Sequence, residues 1–358
     1  MMDKEKNKKH KISELRSEID QINQELLTLL NKRAKIALEI GKNKQIHGYP
    51  IYDPIRELHI LESIVKRNNG PFSDDTIISL FKEIFKATAT LQQDDKKSEL
   101  KISRKMKSED TLIKINDVTI GGNEKTFIFG PCSIESEDQL EATAAFLSEK
   151  GFKFLRGGAF KPRTSPYDFQ GLGLEGLKIM HKIAKKHHLI SVVEIMDKEQ
   201  LQMAQDYIDI VQIGSRNMHN FSLLKEVGKI DKPIILKRGF SATIEEFKLS
   251  AEYIISEGNS NVILCERGIR TFEKATRNTL DISAVPILKQ ETHLPVIVDV
   301  SHAAGRKDIM AYLAKAALAS LSDGIMAEIH PNPKLALSDA NQQMNFNEFT
   351  QFYNLIRN

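Results

Sequence analysis

The stretch that decides the fold runs over residues 152–171 and reads Phe152-Lys-Phe-Leu-Arg-Gly-Gly-Ala-Phe-Lys-Pro-Arg-Thr-Ser-Pro-Tyr-Asp-Phe-Gln-Gly171. Its apolar start predicts a buried strand that ends at an arginine. The loop behind the strand carries glycines, which let the backbone approach a ligand closely, and prolines, which stiffen the chain. Arg156, Lys161 and Arg163 place three cations within eight residues. This density favours an anion-binding loop over a solvated basic one.

The same alternation of a short β-rich run and a helical stretch recurs eight times along the second part of the chain. Eight such units predict a parallel (β/α)8 TIM barrel. The predicted strands cover residues 126–129, 152–155, 191–195, 208–213, 234–236, 262–265, 296–300 and 325–329. The clearest predicted helices cover residues 138–150, 174–188, 243–257 and 307–321. A hairpin over residues 111–126, turning at Gly121 and Gly122, is expected to plug the bottom of the barrel.

A small all-α domain is predicted ahead of the barrel, so the fold class is α/β with a helical unit in front. Residues 11–44 hold no proline, and their apolar side chains recur at helical spacing. This predicts one helix so long that it needs a partner helix or a second chain. Asp53 and Pro54 suit the N-cap and first position of a second helix. A third helix is expected to begin near Ser73 and to reach Gln92.

The composition limits the kinds of partner. With 51 basic and 48 acidic residues the net charge is +3, which is too balanced to predict binding to nucleic acid or to a membrane. No apolar run is long enough to span a bilayer, and the polar start is no secretory signal. Two cysteines make no disulfide framework, so a reducing cytoplasm is expected.

Three segments follow from these patterns. Residues 1–93 are expected to form the helical domain and residues 111–358 the barrel. Residues 94–110 are dense in charged side chains and predict an exposed linker between the two domains.

Two cations interrupt the apolar stripe of the first helix. Arg33 and Lys44 fall on that face at helical spacing, and Arg16 lies at its edge. A cation on an apolar face is costly to bury unless it is paired, so one alone would indicate an ion pair with a nearby carboxylate. Two on one face favour a pocket for an anionic ligand.

Polar residues follow the predicted strands at their carboxyl ends, where barrel enzymes build their sites. One group offers sulfur, nitrogen and oxygen donors, which favours a divalent transition metal such as Mn, Fe, Co or Zn: Cys132, His302, Glu328 and Asp339. Cys265 is interpreted instead as a small hydrophobe. Five cations remain at the mouth, more than one monoanion needs: Arg156, Lys161, Arg216, Lys237 and Arg267. They predict a substrate that carries both phosphate and carboxylate.

The order Leu15-Arg16, Asn31-Lys-Arg33, Gly41-Lys-Asn-Lys44 and Asp53-Pro-Ile-Arg56-Glu57 resembles the all-helical chorismate mutase family. In that family two chains exchange helices to build the sites. The resemblance therefore implies a homo-oligomer with dimeric helical domains, and we expect the barrels to form tetramers.

The resemblance also implies a role for each matching residue. Arg16 from the partner chain, Arg33 and Arg56 would bind the two carboxylates of chorismate. Lys44 would donate to the breaking ether oxygen, and the polar edge of the substrate would be bound by Glu57 and Gln92. Asp53 matches the acidic position of the family as well as capping a helix, and Thr88 stands where the family often has serine. Forming prephenate is a pericyclic rearrangement, so positioning and charge stabilisation by Arg33, Lys44 and Glu57 suffice.

The barrel segment carries Gly130-Pro-Cys-Ser, Lys161-Pro-Arg-Thr-Ser-Pro, Ile213-Gly-Ser-Arg-Asn, Leu236-Lys-Arg-Gly, Cys265-Glu-Arg-Gly, Asp299-Val-Ser-His302 and Glu328-Ile-His-Pro. These motifs resemble 3-deoxy-D-arabino-heptulosonate-7-phosphate (DAHP) synthase, in the smaller subfamily related to 3-deoxy-manno-octulosonate-8-phosphate synthase. The match covers nearly all of residues 111–358. The Lys-Pro-Arg-Thr-Ser loop favours the seven-carbon synthase, because the eight-carbon enzyme usually carries an Asn-Arg-Ser-like sequence there.

This second resemblance implies a metal site, with manganese as the first choice, at Cys132, His302, Glu328 and Asp339. It implies that phosphoenolpyruvate is clamped by Arg156, Lys161, Arg216, Lys237 and Arg267. Erythrose 4-phosphate would be received by Lys161, Arg163, Thr164 and Ser165 together with Asp299. The metal would act as a Lewis acid on the aldehyde, and Lys161 is the candidate proton donor to its oxygen. Glu194 either positions the attacking water or forms a salt bridge to one of the cations.

The sequence thus predicts a bifunctional enzyme of aromatic amino-acid biosynthesis, with feedback on the barrel by prephenate or chorismate through the helical domain. Two alternatives remain open. In the first the helical domain only binds a regulatory ligand without turning it over. In the second the barrel is an octulosonate-8-phosphate synthase.

Overall fold

The computed structural model describes residues 2–47, 53–97, 100–163 and 165–357, and the side chains of all of these except residues 2–9, 45–46 and 92–97. The chain divides into two compact units, Met1–Glu99 and Leu100–Asn358. No helix in the described part of the chain is both long and apolar enough to cross a membrane.

The first unit is helical, as predicted. Its helices are α1 (Met2–Ile46), α2 (Pro54–Val65) and α3 (Asp74–Lys97). Asp53 caps α2 by accepting a hydrogen bond from the backbone N–H of Arg56 at 3.0 Å, and Pro54 takes the first helical position, where its missing N–H costs nothing. Helices α1 and α2 both pack against α3.

Helix α1 leaves much of its apolar stripe uncovered within one chain. Large side chains along it are half exposed or more, among them Leu15 (50%), Ile19 (57%), Ile22 (61%), Leu26 (52%) and Leu29 (63%). A row of this length is unusual on the surface of a soluble monomer. The stripe therefore has the character of a contact surface.

The second unit contains a two-stranded hairpin and, within the described residues, eight parallel strands that close into a barrel in the order β10-β3-β4-β5-β6-β7-β8-β9. The hairpin strands are β1 (Ile113–Ile115) and β2 (Val118–Ile120). The barrel strands are β3 (Thr126–Gly130), β4 (Phe154–Arg156), β5 (Ile190–Glu194), β6 (Ile210–Ile213), β7 (Ile234–Lys237), β8 (Val262–Glu266), β9 (Val296–Asp299) and β10 (Gly324–Glu328). The predicted (β/α)8 barrel is confirmed, with strand boundaries displaced by up to two residues.

The helices of this unit follow the strands in the alternation that the sequence predicts. They are α4 (Glu137–Glu149), α5 (Leu174–Lys186), α6 (Lys198–Ala204), α7 (Phe221–Val227), α8 (Ile244–Ser256), α9 (Ala284–Glu291), α10 (Val300–Ala304), α11 (Met310–Ala319) and α12 (Phe346–Arg357). Their apolar faces and the outward side chains of the strands form one continuous core.

The hairpin plugs the bottom of the barrel, but its turn is not where the glycines predict it. Ile113 and Ile120 are buried in one cluster with inward side chains of the barrel strands, including Cys265, so the interior is filled at that end. The turn lies at Asn116 and Asp117, and Asn116 has φ +52°, a left-handed conformation that asparagine adopts readily. Gly121 instead allows a close approach to Thr111, since a Cβ at position 121 would lie 2.5 Å from the Thr111 carbonyl oxygen.

Residues 100–111, most of which belong to the predicted exposed linker, form a strap along the barrel that is partly buried and partly exposed. Ile102 is fully buried, and the carboxylate of Glu252 accepts hydrogen bonds from the backbone N–H groups of Lys101 (3.0 Å) and Ile102 (3.1 Å). The Arg104 guanidinium donates to the carbonyl of Lys289 at 3.1 Å. Arg104 therefore satisfies backbone carbonyls, whereas residues 105–110 are exposed.

His293 fastens the strap from the barrel side. Its Nε2 donates to the carbonyl of Lys101 at 2.7 Å, and its Nδ1, 2.7 Å from the Thr111 hydroxyl, is left to accept. Burial, together with the charges of Lys107 and Arg104, lowers the pKa of His293 against the raising effect of the Lys101 carbonyl. The neutral imidazole is thus the form that fits.

Acidification should therefore weaken the second unit through His293. In the unfolded chain the His293 imidazole is protonated near pH ~6.5, whereas in the folded chain its pKa is lower. The free energy of unfolding therefore falls as the pH drops below ~6.5. We expect His293→Gln to flatten the fall of the thermal midpoint with pH, measured by circular dichroism. The matched control is His181→Gln, an exposed histidine, which should keep the wild-type slope. An unchanged slope in His293→Gln would contradict the assignment.

Candidate active site and metal centre

The carboxyl ends of the barrel strands bring most of the predicted site residues to one place. A cavity of about 210 Å³ is lined by seven of them: Lys161, Arg163, Arg216, Lys237, Arg267, His302 and Asp339. Cys132, Asp299 and Glu328 contact lining residues, and Arg156 contacts Glu328, as described below. Because parallel strands all end at one rim, residues far apart in sequence meet there.

Four donor groups converge beside this cavity. Ligand atoms of Cys132, Glu328 and Asp339 lie within 4.8 Å of one another, and Cys132 Sγ is 3.5 Å from Asp339 Oδ2. His302 Nε2 lies 3.6 Å from Glu328 Oε1 and 3.8 Å from Asp339 Oδ2. Donors bound at ~2.1 Å in a tetrahedral site are about 3.4 Å apart. Cys132, Glu328 and Asp339 therefore form a cluster whose donor chemistry and spacing suit a metal ion, and His302 adjoins the two carboxylates of that cluster.

Asp299 orients the histidine of this group. Its carboxylate accepts from the His302 backbone N–H at 3.0 Å and from His302 Nδ1 at 2.8 Å, which leaves Nε2 unprotonated and turned toward the other donors. Burial lowers the pKa of His302, against the raising effect of Asp299. Burial would raise the pKa of Asp299, but His302 and Lys237, which also donates to it, keep that pKa well below its usual value.

The predicted contact of Asp299 with a substrate is therefore not favoured. The side chain is fully buried, and both oxygens are taken up by Lys237 and His302. A carboxylate so occupied acts on its neighbours rather than on a ligand.

Lys161 joins the loop of residues 161–171 to the donor group. Its ammonium donates to Cys132 Sγ and to the Cys132 carbonyl, both at 3.0 Å. Burial would lower the pKa of Lys161, but Cys132 and Glu194 raise it above its ordinary value, so the side chain carries its proton at neutral pH. Burial and the charge of Glu328 raise the pKa of the Cys132 thiol to about 12, so ligation there requires displacement of its proton.

Arg267 is a buried arginine with an unpaired donor among the described residues, and it lines the cavity. Its side chain is buried, and its Nη1 atom finds no hydrogen-bond partner among the described residues. Burial lowers the pKa of this arginine, which reports the cost of keeping the charge out of water. Its guanidinium lies over the Phe240 ring at 4.8 Å, and that of Arg216 lies over the same ring at 5.6 Å. A buried, unsatisfied donor facing a cavity calls for an acceptor such as phosphate.

Arg156 takes no direct part in lining the cavity. It donates to Glu328 Oε1 at 2.5 Å, and both side chains are buried. Arg163 lines the cavity and lies 3.4 Å from Asp168. Ser165 accepts from the Tyr167 backbone at 3.3 Å, within its own loop. Thr164 lies outside the described residues, so its predicted contact is untested.

Glu194 lines the cavity and accepts from Gln212 Nε2 at 3.1 Å. Of the two readings left open for it, the ion pair has no geometric support, because no cation in the described part of the chain lies within salt-bridge distance. A Cβ on Gly214 would lie 1.9 Å from Glu194 Oε1, so a side chain there would displace the carboxylate from its present position. Glycine at this position therefore leaves the carboxylate free to face the cavity.

Arg277 and Phe240 line the cavity but were not named as candidate residues from the sequence. Arg277 donates to Asp339 Oδ2 at 3.0 Å, and Phe240 provides the ring face for the arginines. Both lie in loops beyond strand ends, β8 for Arg277 and β7 for Phe240. A cation or aromatic residue in a long loop on the catalytic face was the available signal, but nothing in the sequence indicates which way such a loop folds.

The helical unit brings together fewer of its predicted residues. Arg33 is half buried, donates to the Thr88 hydroxyl at 2.7 Å, and lies over the Phe85 ring at 5.3 Å. Arg16, seventeen residues earlier on α1, is roughly 25 Å away along the helix axis. One chain therefore does not join Arg16 to Arg33.

The remaining predicted residues of this unit occupy the ends of its helices. Lys44 and Glu57 are half buried, whereas Asp53 and Arg56 are exposed at the start of α2. The side chain of Gln92 lies outside the described part of the chain. Asp53 and Arg56 are therefore open to solvent within a single chain.

Comparison with known proteins matches both units. The pattern of the DAHP synthetase I family matches residues 98–358, and that of chorismate mutase type II matches residues 15–93. A phospho-2-dehydro-3-deoxyheptonate aldolase of Thermotoga maritima is 54% identical over 250 residues, which are 70% of this chain and 74% of that protein. A 2-dehydro-3-deoxyphosphooctonate aldolase of Syntrophotalea carbinolica is 32% identical over 249 residues, 64% of this chain and 88% of that protein.

Solved structures agree with these matches. The crystal structure of the Thermotoga maritima phospho-2-dehydro-3-deoxyheptonate aldolase (DAHP synthase) superposes with a TM-score of 0.70 at 53% identity, covering 72% of this chain and 75% of that one. A truncated form of 3-deoxy-D-arabino-heptulosonate 7-phosphate synthase from Thermotoga maritima gives 0.67 at 49% identity, covering 72% and 94%.

Replacing Arg267 should lower the affinity of the cavity for anions. We expect Arg267→Met to weaken binding of inorganic phosphate by about 2–5 kcal/mol, because the bound anion then lacks the buried guanidinium that pairs with it. The matched control is Arg270→Met, since Arg270 lies over the same Phe240 ring at 4.7 Å but is exposed. Isothermal titration calorimetry on both variants measures the difference. Equal losses would show that the ring stacking, and not the buried donor, matters.

Proposed function

The chain belongs to the DAHP synthetase I family and carries a chorismate mutase type II domain ahead of the barrel; on this premise we propose that it catalyses two reactions of aromatic amino-acid biosynthesis. The barrel condenses phosphoenolpyruvate with erythrose 4-phosphate to DAHP and phosphate. The helical domain rearranges chorismate to prephenate. The observation that carries the first assignment is the convergence of Cys132, His302, Glu328 and Asp339 beside a cavity that also presents the unsatisfied Arg267.

The cations of the cavity divide between two anionic substrates. Lys161, Arg216, Lys237 and Arg267 bind the phosphate and carboxylate of phosphoenolpyruvate, with Arg156 behind them. Arg163, with Thr164 and Ser165 of the same loop, receives the phosphate of the aldose. This division is supported by the lining of the cavity, where Arg163 and Arg267 both reach the open space.

Cys132, His302, Glu328 and Asp339 would hold a divalent ion, with manganese first among Mn, Fe, Co and Zn, and the ion would supply Lewis-acid polarisation of the aldehyde carbonyl. The Cys132 ligand requires a reduced thiol, and both cysteines are free and buried, which accords with a cytoplasmic enzyme.

The reaction joins the methylene carbon (C3) of phosphoenolpyruvate to the aldehyde carbon of erythrose 4-phosphate. Water adds to C2, the carbon that bears the phosphoryl oxygen, and phosphate leaves with cleavage of the bond between C2 and that oxygen. Lys161 donates the proton to the aldehyde oxygen, a role supported by its buried, protonated ammonium. Glu194 orients the water, supported by its place in the cavity wall and its bond from Gln212.

Erythrose 4-phosphate is the proposed aldose rather than arabinose 5-phosphate. The 54% identity to a seven-carbon aldolase, against 32% to an eight-carbon one, supports this choice. Offering the two aldoses separately to the intact enzyme tests it, and turnover of arabinose 5-phosphate alone would overturn it.

The mutase site is proposed to form between two chains. Arg33, Lys44, Arg56 and Glu57 come from one helical domain and Arg16 from the other, with Asp53 and Gln92 at the edge. The 25 Å or so that separate Arg16 from Arg33 along α1 support a contribution from a second chain, as does the exposed apolar stripe of that helix. We therefore propose dimeric helical domains and tetrameric barrels, and light scattering of the intact chain measures the subunit count.

Two substitutions should separate the reactions. Cys132→Ala is expected to abolish DAHP synthesis and to spare chorismate turnover, since it removes a ligand from the barrel alone. Arg33→Ala should do the reverse, because a substrate carboxylate is left unpaired in a partly dry pocket, a loss of about 3–5 kcal/mol. Both rates are assayed on each full-length variant.

These assays also decide between the readings of the helical domain. Chorismate binding without turnover in the Cys132→Ala chain would make that domain a regulatory module only. Loss of both activities in either folded variant would contradict two separate sites.

Feedback through the helical domain is the remaining part of the proposal. Prephenate or chorismate added to the synthase assay should slow the full chain, since the ligand of one domain is a late product of the route that the other begins. Arg33→Ala should relieve this inhibition. Arg67→Ala, an exposed arginine of the same unit, is the matched control and should remain inhibited. An unchanged synthase rate in the wild type would rule feedback out.

A further inference from the structure

Two consecutive buried glutamines lie in the loop between β10 and α12, outside the motifs from which the site was predicted. Gln342 is 3% exposed and Gln343 is fully buried. Neither lines the cavity. A buried side-chain amide must find partners for both its oxygen and its nitrogen, so the partners of these two residues indicate their purpose.

Gln342 bridges two of the four donor carboxylates. Its Nε2 donates to Glu328 Oε2 at 2.5 Å and lies 3.4 Å from Asp339 Oδ2. Its Oε1 accepts from Arg277 at 2.7 Å. Because a guanidinium only donates and a carboxylate only accepts, the amide can face these partners in one orientation alone. Arg277 therefore sets the amide, and the amide sets the spacing of Glu328 and Asp339.

Asp339 needs such support because its backbone is strained. Its φ is +48°, in the left-handed region, which most non-glycine residues rarely adopt. The backbone N–H of Gln342 donates to the Asp339 carbonyl at 3.2 Å, and Arg277 donates to the Asp339 carboxylate at 3.0 Å. A strained residue persists where its surroundings over-determine it.

Gln343 serves the sulfur ligand in the same way. Its Oε1 accepts from the backbone N–H of Cys132 at 2.9 Å, and its Nε2 donates to the Ser338 carbonyl at 2.9 Å. The hydroxyls of Ser338 and Ser133 are 2.8 Å apart, which ties the two segments a second time. The segment after β3 that carries Cys132 is thus fastened to the loop that carries Asp339.

We propose that Gln342 and Gln343 are positioning residues that hold three of the four metal ligands, Glu328, Asp339 and Cys132, at the spacing a divalent ion requires. Gln342 acts on the carboxylates and Gln343 on the thiolate. Outer partners of this kind fix the direction of a ligand before the ion arrives. The inference rests on the proposed metal-dependent synthase and deepens it.

The test measures ion binding directly on the full chain. Co²⁺ is titrated into the metal-free protein, with calorimetry for affinity and the thiolate-to-cobalt charge-transfer absorption for the sulfur ligand. Gln342→Met should weaken Co²⁺ binding about 10- to 100-fold while keeping the thiolate band. Gln343→Met should diminish or shift the thiolate band.

The matched control is Asn259→Leu. Asn259 is 5% exposed, and its amide donates to the carbonyls of Val227 (3.2 Å) and Lys232 (2.8 Å), so this variant also loses buried hydrogen bonds but at the far end of the barrel. It should lower the thermal midpoint and leave Co²⁺ affinity and spectrum unchanged. If either methionine variant is unfolded by circular dichroism, the corresponding Gln→Asn variant, which withdraws the amide by one methylene, replaces it.

The outcomes distinguish the metal centre itself from the positioning role of the two glutamines. Wild-type protein that binds no Co²⁺ would remove the metal centre itself. Wild-type binding with unchanged affinity and spectrum in both glutamine variants would overturn the positioning role alone. If Asn259→Leu loses as much Co²⁺ affinity as Gln342→Met, the glutamines affect metal binding only through the overall stability of the protein.

Discussion

The buried carboxylate of Glu328 is the group on which the mouth of the barrel depends. Burial would raise its pKa, but His302 and Arg156 hold that pKa well below its ordinary value. Arg156 reaches it at 2.5 Å from β4, across β3, which lies between β4 and β10. An unpaired charge at this depth costs several kcal/mol, so the rim packs only with the pair formed. The crossing leaves no room for a side chain, since a Cβ on Gly130 would lie 2.0 Å from the Arg156 carbonyl oxygen.

A second consequence of burying charge appears at the ends of β7 and β8. Lys237 and Arg267 face the cavity, and the residues next to them in sequence, Arg238 and Glu266, form an ion pair at 3.0 Å. Asp281 lies 2.7 Å from the same guanidinium. Successive side chains of a strand point to opposite faces. Lys237 and Arg267 therefore point into the cavity, while Arg238 and Glu266 point away from it and pair with each other. Substrate binding and loop anchoring are thereby coupled in the same two strand ends.

The helical unit follows a different rule. Its cations lie along helices and not at converging strand ends, so one chain collects only part of the set. Arg33 contacts Thr88 and Phe85 across α1 and α3, whereas Arg16 is far along the same helix. The exposed apolar face of α1 and the dispersed cations are the two observations that support our proposal of a second chain at this domain. In the second unit, the strap of residues 100–111 is fastened to the barrel by Glu252 and His293.

The sequence by itself determined the elements and the side of the barrel on which chemistry occurs, because hydrophobic periodicity and helix caps such as Asp53 are local and parallel strands all end at one rim. Tertiary structure alone decided what the loops do. The turn at Asn116, the engagement of Asp299 with its neighbours, and the placing of Arg277 and Gln342 against the donor carboxylates all depend on partners more than one element away in sequence. A loop has no periodic signal, and its conformation is selected by the buried polar groups that it must satisfy.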